Sequence, residues 1–380
     1  MKRALLFGFC LLLAASCFSC RQEVDEKANR ETLPPLTEPW ETEIPWKDWV
    51  DDSYPYDLNE YLTLPPHEGV VAVFDDSGVC TDEELEEATL QIRLSLAKFE
   101  KKDGPAEKTD RVTVSYEVVL EGQLLEDKSA EALEIVLGLD GYDGEKAALA
   151  RALEGAEVGE LCWADYRYPE SPLYGSLAGK TVVVKGTVKK IEKAVLAEMD
   201  EAFVHSLDGF EESSVEDFFD SVRRDVVEEK KRRKVNAVWA AFCEKVTVHR
   251  YPEEELEKYR EEFADYYLSL AEAMEMEQEE FLEEYAGMTP EEFEEEKELY
   301  ATEMVKNDMI FTQLIRTLSV TVSQEEYNRG AREYYEAEMS EFKSFEDFEA
   351  YYTREQILEN LVRDKALLSV VEKAVCDKQE

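Results

Sequence analysis

Two rhythms of apolar residues divide the chain. In the second half they recur every three or four positions, the spacing that lines one face of a helix. Val215, Phe218, Phe219, Val222 and Val226 set this pattern, and Val235, Val238, Trp239, Phe242 and Val246 continue it. After the break at Tyr251 and Pro252 it resumes at Leu256, Tyr259, Phe263, Tyr267 and Leu270, then at Phe311, Leu314, Ile315 and Leu318. Ile357, Leu361, Leu368, Val371 and Val375 form the last stripe. Helix-start signals stand at Ser213 with Glu216, at Thr289-Pro290 with Glu292, and at Ser323 with Glu326. Residues 194–380 therefore read as a helical domain.

The other rhythm is strict alternation. Val112, Val114, Tyr116 and Val118 alternate with Thr113, Ser115 and Glu117, and Val182, Val184 and Val188 alternate with polar positions including Lys185 and Lys189. Both read as half-buried strands. An Ala-rich stretch at 146–153 and turns at Gly155, Gly159, Gly175 and Gly179 lie between them. Residues 105–193 thus predict an α+β domain with an antiparallel sheet and one short helix. Ahead of it, 54–104 reads as an extended segment and a helix leading into the body. That helix opens with a capping box at Thr81 and Glu84 and carries Leu85, Ala88, Ile92, Leu96 and Phe99.

The N-terminus has a different character. Lys2 and Arg3 precede an apolar run from Ala4 to Ala15, the charge and length of a secretory signal and too short to span a bilayer comfortably. Small residues lead into Cys17 and again into Cys20, as in a bacterial lipobox, where the Cys is lipidated and becomes the first residue. Cys17 has the better small-residue context and Cys20 is the alternative. The expectation is a lipoprotein with signal peptide 1–16, held at the outer face of the cytoplasmic membrane by acyl chains. Residues 17–53, acidic and holding Pro34, Pro35, Pro39 and Pro45, read as a tether. Trp40, Trp46 and Trp49 give it more apolar surface than a linker needs.

Charge narrows the function further. Of 380 residues, 89 are Asp or Glu and 43 are Lys or Arg, for a net charge of -46. Such a chain repels phosphate backbones, so nucleic acid is not an expected partner. The basic run at 230–234 follows Glu228 and Glu229 inside a helical pattern, which favours ion pairing on the helix surface. Residues 251–300 hold 20 acidic and 3 basic side chains, a solvated face that also keeps apolar surface soluble. Three His far apart give no metal site, and no cofactor is expected. Cys80, Cys162, Cys243 and Cys376 form no CxxC and read as scattered thiols, with one or two disulfides an open alternative.

One ordered set of motifs resembles a known family. It starts at Asp110-Arg111-Val112-Thr113-Val114-Ser115-Tyr116 and passes through Gly122-Gln123-Leu124-Leu125-Glu126-Asp127 and Val136-Leu137-Gly138. Leu153-Glu154-Gly155-Ala156-Glu157-Val158-Gly159, Leu177-Ala178-Gly179-Lys180 and Thr187-Val188-Lys189-Lys190-Ile191 follow. This order resembles the FKBP-type prolyl isomerase domain of trigger factor. The stretch from Asp200-Glu201-Ala202-Phe203-Val204, with Ala286-Gly287-Met288-Thr289, resembles that family's C-terminal chaperone domain. The resemblance runs over roughly 54–376. It lacks the family's ribosome-docking domain and Gly-Phe-Arg signature, so no ribosome is expected as partner. Unfolded or nascent secreted polypeptides are.

The resemblance implies a folding factor with an α+β FKBP-like domain followed by an extended all-α domain. The implied pocket holds Tyr116 as aromatic wall, Leu125 and Glu126, Leu149 as floor, Tyr174 as the hydroxyl donor to the substrate carbonyl, and Val184. Leu149 and Val184 stand where the family has rings, and a short insertion at Asp140 to Glu145 precedes the floor, so the pocket is partly degenerate. The function this implies is a prolyl isomerase and chaperone for secreted proteins, with a non-catalytic holdase or adaptor carrying a degenerate isomerase domain as the alternative. Phe263, Tyr267, Phe281 and Phe311 are the candidates for client contact, with ordinary helix packing as the other reading.

Overall fold

A computed structural model of the chain describes residues 44–45, 54–169, 177–210, 213–286, 288–337, 342 and 344–377. Cys17, Cys20, Trp40, Trp46, Trp49 and Tyr174 lie outside the described residues, as do the expected signal peptide and nearly all of the tether.

Along the chain come β1 (Ile44–Pro45), β2 (Leu62–Thr63), β3 (Val71–Ala72), α1 (Asp82–Ser95), β4 (Lys98–Lys101), β5 (Arg111–Leu120), β6 (Gln123–Leu124) and β7 (Ala130–Val136). Next are α2 (Gly144–Ala152), β8 (Leu161–Arg167), β9 (Thr181–Val195), α3 (Glu201–Val204), α4 (Val215–Cys243) and β10 (Thr247–Val248). The rest is α5 (Glu253–Ala273), α6 (Gln278–Phe281), α7 (Pro290–Leu318), β11 (Thr321–Val322), α8 (Gln324–Ala337), α9 (Phe345–Tyr351), α10 (Arg354–Val371) and β12 (Val375–Cys376). Among the described residues no helix is long and apolar enough to cross a membrane. The chain divides into two compact units, Val79–Val227 and a second made of Met1–Gly78 with Glu228–Glu380.

The first unit is α+β. Its six-stranded antiparallel sheet is centred on β9, which pairs with β4, β5 and β8, while β5 also pairs with β6 and β7. The alternation seen in sequence is the register of the sheet: Val112, Val114, Tyr116, Val118, Val182, Val184 and Val188 all point inward. The register of β5 with β9 shifts where Lys189 and Lys190 both face out, and this bulge brings Ile191 back into the core. The Ala-rich stretch forms α2, which lies on the sheet. A Cβ on Gly186 would sit 3.0 Å from Leu149 Cδ2 and 3.2 Å from the Ser115 carbonyl, so a larger residue there would have to displace Leu149 or the β5 backbone by a few tenths of an ångström.

Four sequence boundaries move. The helix opened by Thr81 stops at Ser95, and Leu96 is exposed. Phe99 lies in β4, opposite Ala194, with the Arg111 guanidinium 4.4 Å from its ring centre. Segment 54–104 does not act as one lead-in: residues 54–78 belong to the helical unit, because Tyr54, Leu58, Leu62, Val70 and Ala72 bury themselves in its core. Residues 194–227 in turn belong to the α+β unit, where Val204, Phe218 and Val222 pack on Leu85, Ala88 and Ile92. The cap of α4 is Ser214 with Asp217, one residue beyond the expected Ser213 and Glu216.

In the helical unit α7 and α10 supply most of the main core, joined by side chains from α4, α5, α8 and α9. The sequence caps hold at Thr289 with Glu292 and at Ser323 with Glu326. Residues 54–78 run along this unit with little secondary structure of their own. β2 pairs antiparallel with β10 and β3 pairs parallel with β12. The Arg316 guanidinium donates to the carbonyls of Tyr54 at 2.5 Å and Tyr56 at 3.3 Å. Val375, read as the end of the last helical stripe, is instead exposed in β12. Cys80, Cys162, Cys243 and Cys376 are free thiols.

Candidate functional site

Several residues named for the expected isomerase pocket lie in the core of the α+β unit. Tyr116 from β5, Leu149 from α2 and Val184 from β9 meet in one buried cluster, with Leu125 packed against it. Glu126 does not join them; it is exposed at the start of a one-turn 3-10 helix. Tyr168 does join, at 3% exposure, and the motif comparison did not single it out. Its ring makes an edge contact with Tyr166, centres 5.0 Å apart.

Tyr168 also brings a charge into the cluster. Its hydroxyl donates a short hydrogen bond to Glu145 Oε1, and Lys128 Nζ lies 3.3 Å from the same oxygen and 5.5 Å from the Tyr168 ring centre. Burial works against the Glu145 charge. The Tyr168 hydroxyl, the Glu145 N–H and Lys128 outweigh it, and the carboxyl sits below its ordinary range. The hydroxyls of Tyr116 and Tyr168 are pushed well up, first by burial and then by Glu145. Glu145 comes from residues 140–145, which the sequence reads as an insertion. Its first-turn position on α2 is what aims it at Tyr168. The cluster is thus a packed core of aliphatic side chains and tyrosine rings, in which the Tyr168 hydroxyl is engaged by the Glu145 carboxylate.

The helical unit corrects the client-contact residues. Phe263 and Tyr267 of α5, Phe281 of α6 and Phe293 of α7 form a closed aromatic cluster, with Phe293 5.4 Å from both Phe263 and Tyr267 by ring centres. All four are buried, so three of the named candidates face one another, the ordinary result of 3.6-residue periodicity. Phe311 is half-buried and stacks on Trp239 at 4.7 Å. Apolar side chains open to solvent lie beside the cluster. Tyr266, Leu268 and Met274 are exposed, as is Tyr285, which stacks on Phe281. Tyr266 interrupts the apolar stripe, and an aromatic residue out of phase with a buried face is the sequence signal that would have found it. Among the described residues no group of three or more His, Cys, Asp or Glu side chains is placed to hold a metal ion.

Comparison with known proteins bears on these units differently. Residues 214–372 match the family model of the bacterial trigger factor protein C-terminus. The trigger factor of Psychrobacter sp. (strain PRwf-1) is 32% identical over 167 residues, 43% of this chain and 36% of that protein. The trigger factor of Caldicellulosiruptor saccharolyticus is 24% identical over 306 residues, 79% of this chain and 68% of that protein. The match to the first of these thus spans about a third of the relative's length. A solved structure described as showing promiscuous substrate recognition in folding and assembly by the trigger factor chaperone covers 82% of this chain and 72% of its own, at 20% identity. Its TM-score of 0.35 supports no argument from shape. By sequence, residues 214–372 are similar to the trigger factor C-terminal family, and the chain as a whole is similar to trigger factors.

Proposed function

We propose that this protein is a holding chaperone for secreted polypeptides, anchored through a lipidated Cys17, with Cys20 as the alternative, at the outer face of the cytoplasmic membrane. The observation that carries the reading is the family match over 214–372, a body whose exposed Tyr266, Met274 and Tyr285 surround a packed aromatic cluster. An unfolded chain buries its own apolar residues on such a surface, at roughly 25 cal/mol per Å² removed from water. The many acidic side chains of α5 and α7 keep that surface from self-association. The lipobox-like residues before Cys17 support the anchor.

A second reading, a working prolyl isomerase, is favoured by the meeting of Tyr116, Leu149 and Val184 in one cluster. An X–Pro bond turns over a barrier of about 18–20 kcal/mol. A dry apolar socket favours the twisted imide, whose carbonyl carries less charge than the planar one, relative to water. The Glu145 carboxylate in that cluster opposes this chemistry and supports the holdase reading.

Proline-limited refolding of a denatured client separates the two. The expected result is that stoichiometric protein suppresses aggregation while catalytic amounts leave the slow phase unchanged. Acceleration by catalytic amounts would overturn the holdase reading in favour of the isomerase.

A further inference from the structure

Residues 69–76 sit on the helical unit in the manner of a bound peptide. The Gly69 N–H donates to the Lys373 carbonyl at 3.0 Å, and the N–H groups of Val375 and Asp377 donate to the carbonyls of Val70 and Ala72, each at 2.8 Å. Side chains alternate along the segment: Val70 and Ala72 are buried, while Val71 and Val73 are 46% and 55% exposed. Its acidic end is clasped by two lysines one turn apart on α4. Lys230 pairs with Asp75 at 2.7 Å, and Lys234 pairs with Asp76 at 2.6 Å and lies 4.8 Å from the Phe74 ring centre. Main-chain bonds along one strand, pockets for alternate side chains and a charge clamp are the elements of recognition by strand addition.

The preceding part of the same segment is held differently. Tyr54, Leu58 and Leu62 are within 2% of complete burial, which makes them permanent core. From 69 onward the hold is two small buried side chains, a half-buried ring and two ion pairs whose carboxylates are exposed, a lighter hold than that on 54–62. In a chain with twice as many acidic as basic residues, Lys230 and Lys234 also mark a rare place where an acidic peptide is attracted.

We propose that residues 69–76 are a releasable internal occupant of a peptide-binding edge built from β12, Lys230 and Lys234. Its occupant in trans is an extended polypeptide with alternating apolar residues followed by acidic ones. As a client site this rests on the chaperone reading above; as a binding edge it does not.

The register supplies the test. Ala72 lies directly opposite Cys376, whose Sγ is already 2.9 Å from the Phe74 carbonyl, so Ala72→Cys can form a disulfide that locks the segment down. The probe is a fluorescein-labelled peptide with the sequence of residues 68–78, added to the full chain and followed by anisotropy. Reduced Ala72→Cys and wild type are expected to bind it at least tenfold more tightly than the oxidised form. Lys230→Glu with Lys234→Glu is expected to weaken binding to reduced protein. Equal anisotropy in the two redox states, whether both bind or neither does, overturns the proposal. A measurement on wild type guards against misfolding of the variant: with 15N-labelled protein and unlabelled peptide, the Gly69 amide is expected to exchange at least tenfold faster at saturation. An unchanged rate also overturns it. Aggregation suppression by the reduced protein is scored separately, so its loss with peptide binding intact would sink the chaperone reading and leave the edge standing.

Discussion

Replacing Asp308 with alanine is expected to cost the helical unit about 2–3 kcal/mol, the upper part of the range for leaving a buried hydrogen-bonding group without its partner. Asp308 lies on α7 at 8% exposure. It accepts a short hydrogen bond from the Tyr259 hydroxyl of α5 and a 2.8 Å bond from Arg363 Nη2 of α10. One carboxylate therefore ties together α5, α7 and α10, all of which contribute to the core. Burial works against the Arg363 charge, but Asp308 and Glu359 outweigh it and hold the guanidinium firmly protonated. Without Asp308 a buried hydroxyl has lost its acceptor, and Arg363 keeps Glu359 at 2.8 Å. Asp308→Asn retains an acceptor and loses the charge, so about half the cost is expected. Urea unfolding followed at 222 nm, where the helices dominate, measures both. A shift of Asp308→Ala worth under about 1 kcal/mol would show that the network does not hold the body together.

Glu145→Ala is expected to change the α+β unit in the opposite functional direction, by conferring prolyl isomerase activity. The variant removes from the cluster both a charge and the carboxylate that accepts from the Tyr168 hydroxyl. A gain of about tenfold over wild type corresponds to about 1.4 kcal/mol at the transition state, the scale of one hydrogen bond to a charged group released. The proline-limited refolding assay measures it. The sign of the accompanying pH effect follows from the depressed Glu145 carboxyl. Its contribution to stability is complete above the ordinary carboxylate range and is lost as pH falls through the depressed folded value. Glu145→Ala should therefore flatten that part of the acid limb of the thermal stability profile. An unaltered rate and an unaltered acid limb would mean that Glu145 does not latch the socket.

What the sequence reveals tracks what depends on local periodicity. The alternation of Val112 to Val118 and of Val182 to Val188 fixes both strands and their inward faces, since only one register buries every valine. The capping residues Thr81, Thr289 and Ser323 mark helix starts, because a side-chain bond to the third N–H is a local event. The stop of α1 at Ser95 is not local. Phe99 fits the helical stripe, and the pairing of β4 with the far end of β9 overrides it. The allegiance of residues 54–78 is likewise decided by a core assembled from helices some 200 positions away, to which Tyr54 and Leu58 give no nearby pointer.

The same division holds for the candidate sites. Tyr116, Leu149 and Val184 could be named because they lie on periodic elements. Tyr168 and Glu145 could not, because their meeting depends on how a short insertion turns into α2. Phe263, Tyr267 and Phe281 were legible as an apolar face. A face of that kind has two outcomes, a groove or a core, and packing against Phe293 decides for the core.

The claim that the helical unit holds clients is tested most directly by site-specific crosslinking. A photoreactive residue is placed at Tyr266 or Met274 in the helical unit, or at Trp163 on the exposed face of β8, in otherwise intact protein. Each variant is mixed with a chemically denatured client. The expected result is strong adducts from Tyr266 and Met274 and few from Trp163. Adducts confined to Trp163, or equal from all three positions, would contradict the account.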